Sequence, residues 1–244
     1  MPIIGNVLKR IFKGFRNKNS YPFERQSFDD NFKEDEKTLV QIKNLVNYTK
    51  TSGSSYNAQI YPGGYHTIKF KKNVLKGQRE PEERFKPLKF GFSGKKVLDI
   101  GTNQGGMLFN IQDKIKWGVG IDYDKNMINA ANRIKRINDF DNLDFYVFDL
   151  DHEPYDLLFD LLPESKVDIV FLLAVCMWVK NWKNLIKFSS QISNNMLFES
   201  NGSKEEQKEQ IEVLKSVFEK VEVLKENSDD DPKQKNRKLL FCEK

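Results

Sequence analysis

From Lys95 onward short β-rich runs alternate with segments of helical periodicity, and this alternation narrows the available folds more than any other feature of the chain. The runs are KKVLDI, WGVGIDY, LDFYVFD, VDIVFLLAV, NMLFES, VEVLKE and RKLLFCEK. Apolar residues at helical spacing fall between them: Met107, Leu108 and Ile111, then Met127, Ile128, Ala131 and Ile134, then Leu157, Leu158, Leu161 and Leu162, then Trp182, Leu185 and Ile186. Ser203 with Glu206 reads as a capping box that opens a further helix through Phe218. Strands joined by helical crossovers run parallel, whereas the last two runs are joined by a polar Asp, Pro and Lys stretch too short for a helix, so one of that pair is antiparallel. The expectation is an α/β fold: a doubly wound, seven-stranded, mostly parallel Rossmann-like sheet with an antiparallel C-terminal strand.

Before this block lies an extension of a different character. Residues 1–20 hold five basic and no acidic residues, so with 40 basic and 35 acidic residues in all, the remainder carries 35 of each sign. Ile4, Val7, Leu8, Ile11, Phe12 and Phe15 share one side of a helix and Lys9, Arg10, Lys13 and Arg16 the other. Two roles fit this basic amphipathic helix, a peripheral membrane contact or packing on a protein surface. KTLVQIKNLVNYT gives a second helix with Leu39, Ile42, Leu45 and Val46 on one face. From Thr51 to Phe92 the pattern is irregular, broken by Pro62, Gly63, Gly64, Pro81 and Pro87, and predicts a loop-rich cap. The expected division is an N-terminal helix over 1–20, an extension or cap over 21–92 and a ligand-binding domain over 93–244.

The two cysteines, Cys176 and Cys242, lie inside apolar runs, which argues against disulfides and clustered-thiolate metal sites and points to a cytoplasmic setting without a bound metal. No apolar run approaches the ~20 residues that cross a bilayer. The balanced body lacks the basic, aromatic-interleaved surface of a strong RNA binder, although a nucleic acid acceptor is left open.

VLDIGTNQGG, Val97 to Gly106, carries the chemistry: a buried strand turns through glycines into a helix, and Asp99 stands two residues before Gly101. Glycines there permit positive φ and close approach of backbone to ligand. Aligned as a dinucleotide fingerprint, Gly101, Asn103 and Gly106 lack the middle glycine that lets backbone meet a pyrophosphate, which weakens a nicotinamide-dependent oxidoreductase reading. An acid just before the first glycine instead suits a ligand with a positive amino group and no pyrophosphate, such as S-adenosylmethionine. Asp122 ends the second strand 21 residues beyond Gly101, where a carboxylate takes ribose hydroxyls. Asp149 ends the third, beside Tyr123, Phe148 and Leu150, as an acceptor for an adenine amino group or as an ordinary helix cap.

On these residues the block from Lys95 to Lys244 resembles the class I S-adenosylmethionine-dependent methyltransferases. The resemblance implies S-adenosyl-L-methionine as cofactor, with Asp99, Gly101, Asn103 and Gly105 at its methionine end, Asp122 at its ribose, and Asp149, with Tyr123 nearby, at its adenine. The chain departs from the family in carrying Asn103 where many members have glycine. AVCMWVKNW, after the fourth strand, is where family members face the methyl group: Trp178 and Met177 are candidates for the wall beside the sulfonium, and Lys180 or Asn181 for substrate contact, with Met177 favoured as a core residue. No Asn-Pro-Pro-Tyr or Asp-Pro-Pro-Tyr is present, which disfavours adenine amino methylation, and Cys176 without a Pro-Cys reads as a core thiol. Upstream, Tyr65, Arg79 and Arg84 are assigned to a lid or substrate wall, with the arginines expected to pair with Glu80, Glu82 and Glu83. His66 is a candidate general base and His152 a surface residue. A non-catalytic cofactor-binding module of the same fold is the competing reading, and the methyl acceptor is left open among small molecules, lipid-linked glycans and RNA.

Overall fold

The computed structural model describes residues 34–48, 61–70, 73–227 and 236–244, so the amphipathic segment over 1–20 lies outside the described residues. Strands β5 (Lys96–Ile100), β6 (Trp117–Asp122), β7 (Leu143–Val147), β8 (Ile169–Leu173), β9 (Asn195–Glu199), β10 (Lys220–Lys225) and β11 (Leu239–Glu243) form one sheet in the order β10-β11-β9-β8-β5-β6-β7. β5 pairs in parallel with both β6 and β8, and β11 pairs antiparallel with both β9 and β10. β11 alone therefore runs against the others in this sheet, as the polar link before it requires.

The two faces of the sheet follow from the period-2 alternation of the strands. Leu98, Ile100, Val170, Leu172, Met196 and Phe198 pack on one side with Leu185, Ile186 and Leu214 from the helices Trp182–Ile192 and Lys204–Val217. Val97, Ile169, Phe171 and Leu197 pack on the other with Met107, Leu108 and Ile111 from Gly106–Ile111 and with Ile128 and Ala131 from Lys125–Asn138. Central strands buried on both faces need near-continuous apolar runs, which is why KVLDI and IVFLL lack polar alternation. The helix Glu34–Tyr48 forms an outer layer, laying Ile42 and Val46 against Ala130 and Ile134.

Two local expectations change. The helix expected around Leu157–Leu162 is a 3-10 turn at Tyr155–Leu157 followed by one turn of helix at Leu158–Leu161, confined between Pro154 and Pro163. The cap is less loop-like than its prolines and glycines imply: β1 (Gly64–His66) pairs in parallel with β4 (Gly77–Arg79), and β2 (Ile68–Phe70) pairs antiparallel with β3 (Asn73–Leu75). The glycines serve close approach here, since a Cβ at Gly77 would stand 2.1 Å from the His66 carbonyl carbon. The segments of three residues carry no hydrophobic period long enough to read.

The order in which strands are added reverses between β5 and β8, with β6 and β7 to one side and β8 and β9 to the other. The crevice beyond the carboxyl ends of β5 and β8 is where such a sheet binds ligand. Gly120 in β6 keeps this region close-packed, because an added Cβ would lie 2.7 Å from both Phe145 Cδ1 and Thr102 Oγ1. Gly120→Ala is expected to lower stability by about 1–3 kcal/mol through overpacking, read by urea denaturation.

Candidate active site

The glycine turn after β5 is built from three left-handed residues, Gly101 (φ 75°), Asn103 (φ 53°) and Gly105 (φ 83°). Asn103 thus occupies the conformation that glycine would otherwise supply, and asparagine tolerates it better than most side chains. Its backbone amide donates to Asp122 Oδ2 at 2.8 Å and its side-chain oxygen accepts from the Gln104 amide at 3.0 Å. Asp122 Oδ1 accepts from the Asp124 amide at 2.9 Å. Both Asp122 oxygens are so oriented, each with a further lone pair for a ligand hydroxyl. Burial raises the Asp122 pKa, and the Asp124 and Asn103 amides oppose that rise.

Asp99 lies at the floor of the turn, buried, and accepts from Thr102 Oγ1 at 2.7 Å. Desolvation pushes its carboxyl up to about 7; the Thr102 hydrogen bond opposes this, and the Asp122 charge adds to it. A buried carboxyl held near neutrality is suited to a cationic ligand group, which would restore the charged form. Tyr123, next to Asp122, is 74% exposed and offers its ring at the rim. Asp149 is partly exposed and bonds the His152 ring through Nδ1 at 2.9 Å, an interaction that lowers its pKa. Phe148, grouped with it in sequence, turns into the core instead.

The turn after β8 is strained at Ala174, a non-glycine residue at φ 58°. Asn201, fully buried, fixes it by donating to the Ala174 carbonyl at 2.5 Å and accepting from the Met177 amide at 3.0 Å. Met177 and Trp178 follow, 39% and 69% exposed, so Met177 is not the core residue its spacing suggests. Cys176 is buried, and desolvation pushes its thiol up to about 12, leaving it inert. Lys180 and Asn181 are exposed beside it; the Lys180 amide donates to Asp151 at 2.8 Å, and the Asn181 carbonyl accepts from the Leu185 amide at 3.2 Å in the first turn of the next helix.

The cap meets this site through groups that sequence reasoning missed. Glu199, at the end of β9 and buried, accepts from Arg79 at 3.1 Å and from Arg84 Nε at 2.7 Å, with Arg237 at 3.8 Å. Burial alone would raise its pKa, but Arg84 and Arg79 hold it down to about 2. Arg79 and Arg84 therefore pair with a residue 120 and 115 positions away. Of the nearby acids, Glu80 accepts from Thr67, Glu82 from Lys69 and Asn110, and Glu83 from Lys86. Tyr65 sits under the Arg79 guanidinium, 5.0 Å from ring centroid to Cζ. His66 is buried against Gly106, and burial with the Arg84 and Arg79 charges lowers its pKa, so the ring is neutral. Only the bare pairing of an acid at a strand end with arginines upstream hints at this cluster, and charges so far apart in sequence have no spacing rule.

These residues fit an S-adenosylmethionine ligand: a near-neutral buried acid below a glycine turn and a fixed acid one strand over. Among the same residues no cluster of His, Cys, Asp and Glu fits a metal, and no helix is long and apolar enough to cross a membrane. In the ligand-free protein, Asp99 holds a proton between 3.8 and about 7 that the unfolded chain releases, so stability falls as pH rises through that window. Affinity for a ligand ammonium is expected to move oppositely, strengthening as pH rises through about 7, and Asp99→Asn flattens that dependence; calorimetric titration across pH reads both.

A family model described as a methyltransferase domain matches residues 92–234, more than half of the chain. A search of curated proteins returned no match. Among solved structures, the N-terminal domain of EvdMO1, crystallised in the presence of SAH and D-fucose, matches with a TM-score of 0.61 and 10% identity, covering 88% of this chain and 99% of that one. The longer EvdMO1 structure matches with a TM-score of 0.55 and 12% identity over 72% of this chain and 43% of that one, so this chain spans less than half of it. Precorrin-6y C5,15-methyltransferase from Geobacter metallireducens GS-15 matches with a TM-score of 0.53 and 11% identity, covering 72% of this chain and 93% of that one. At these identities the likeness is one of fold. The family match, together with the glycine turn and its acids, makes the chain a member of the methyltransferase domain family, a class I enzyme that uses S-adenosylmethionine.

Proposed function

We propose that the enzyme methylates a hydroxyl of a small polar acceptor of the sugar class, free or carried on a lipid. The observation that carries this reading is the exposed Trp178 immediately beyond β8, at the mouth of the crevice. An exposed indole beside polar groups such as Lys180 and Asn181 suits the mixed apolar and polar faces of a sugar. The neighbour crystallised with SAH and D-fucose supports the same class, since its likeness covers 88% of this chain and so extends beyond the segment matched by the family model. The even charge balance of residues 21–244 favours such an acceptor over RNA. The basic amphipathic pattern over 1–20 would bring the enzyme to a membrane where a lipid-carried acceptor resides.

S-adenosylmethionine supplies a methyl group already activated on a sulfonium, so the chain contributes chiefly alignment and exclusion of water. In this reading Asp99 and the turn from Gly101 to Gly105 hold the methionine end, Asp122 holds the ribose, and Tyr123 with Asp149 borders the adenine. Trp178 orients the acceptor, with Lys180 and Asn181 at its outer edge. Arg79, Arg84 and Tyr65 form the wall beneath the cap. His66 is uncharged and so able to receive the hydroxyl proton, whereas His152 is exposed and engaged with Asp149.

Label from methyl-tritiated S-adenosylmethionine is expected in the glycan or glycolipid fraction of a host extract. Label confined to RNA or protein would refute the sugar assignment. Asp122→Ala is expected to remove most cofactor affinity and abolish the labelling; unchanged binding by calorimetry would overturn its role at the ribose.

A further inference from the structure

Gln104 stands in the middle of the cofactor turn but faces away from the sheet, toward the cap. Its side chain is fully buried, and Nε2 donates to two carbonyls of the cap, Gly63 at 2.5 Å and His66 at 2.7 Å. Both amide hydrogens are thereby used to fasten β1 to the turn. The direction of this side chain is set by its neighbours: Asn103 and Gly105, both left-handed, flank it, and its own amide donates to Asn103 Oδ1. Asn103 in turn donates to Asp122. A continuous chain of hydrogen bonds thus leads from the ribose carboxylate, through Asn103 and Gln104, to the first strand of the cap.

The contact is tight elsewhere along the same seam. A Cβ at Gly106 would come within 2.5 Å of the His66 ring, so cap and turn touch without intervening space. β4, the partner of β1, is held separately, by Arg79 on Glu199. Of the side-chain hydrogen bonds that hold the cap among the described residues, those of Gln104 come from the cofactor turn.

We propose that Gln104 is a positioning residue that couples cofactor binding to the ordering of the cap: a ligand that fixes the turn on Asp122 also fixes the direction of Gln104, and with it the strand that carries Tyr65 and His66. The methyl acceptor therefore meets a wall completed by the cofactor. Coupling of this kind is reciprocal, so a cap cut loose from the turn weakens cofactor binding by the same factor. This inference uses the cofactor alone and stands apart from the identity of the acceptor.

Hydrogen exchange on the full chain, with and without S-adenosylhomocysteine, tests it. The amides of Gly63 and Thr67, which donate to Lys76 and Arg79 across the β1–β4 pair, are the reporters. In the native chain S-adenosylhomocysteine is expected to slow their exchange about tenfold, together with that of the glycine turn. In Gln104→Leu the turn is still protected by the ligand but Gly63 and Thr67 are not, and ligand affinity falls by about the same factor. A merely structural role would lower protection equally in both ligand states. Gln104→Glu, nearly the same shape but without the donors when ionised, repeats the experiment should the leucine variant fail to fold. No ligand-dependent slowing at Gly63 and Thr67 in the native chain, or slowing retained in the variants, would overturn the proposal.

Discussion

The central constraint is that β5 has neighbours on both sides and helices on both faces. A strand enclosed in this way cannot continue past the edge of the sheet without exposing a hydrophobic run or burying unpaired backbone, so it must turn at once into a helix. The three left-handed residues of that turn follow, and so does the position of Asp99, which the strand carries to its end before the chain reverses. The candidate site is arranged around this point: Asp122 one strand to one side, Ala174 and Trp178 one strand to the other.

The electrostatics have the same origin. Carboxyls at the ends of buried strands are partly withdrawn from water, and their state depends on what else reaches them. Asp99 has a single hydroxyl donor and rises to about 7, whereas Glu199 is met by guanidinium groups and falls to about 2. Two equally buried acids in one protein are thus held in opposite states, one near neutrality and the other a permanent charge paired with the arginines of the cap.

The sheet was legible in the sequence because its strands are long, apolar and regularly spaced, and because the capping box at Ser203 and Glu206 and the glycine turn are local signals. The cap was not, since strands of three residues carry no period and their partners are set by Gly77 and Gly63 approaching backbone closely. Among the candidate site residues, the positions of Asp99 and Asp122 beside the glycine turn follow from their distance to Gly101. For Arg79 and Arg84 the sequence offers the adjacent acids Glu80, Glu82 and Glu83, while Glu199 arrives through the fold. Gln104 and Asn201 escaped notice because a buried amide is identified only by the carbonyls it reaches. Met177 misled in the other direction, since helical spacing implies a buried face but Asn201 turns the chain out of that register.

β11 lies between β9 and β10 although it follows both in sequence. Until it inserts, β9 has an open edge and β10 has no neighbour, so the sheet is completed by its latest strand rather than extended outward. Arg237, two residues ahead of β11, reaches Glu199 in the same movement. Closure of the sheet and completion of the charge cluster under the cap are therefore one folding event. A nascent chain with β5 to β9 in place already has its cofactor turn and the Arg79 and Arg84 pairs on Glu199, yet Arg237 joins that cluster only after a long-range, entropically slow step. The cofactor turn and the completed charge cluster under the cap thus arise at different times in the life of one molecule.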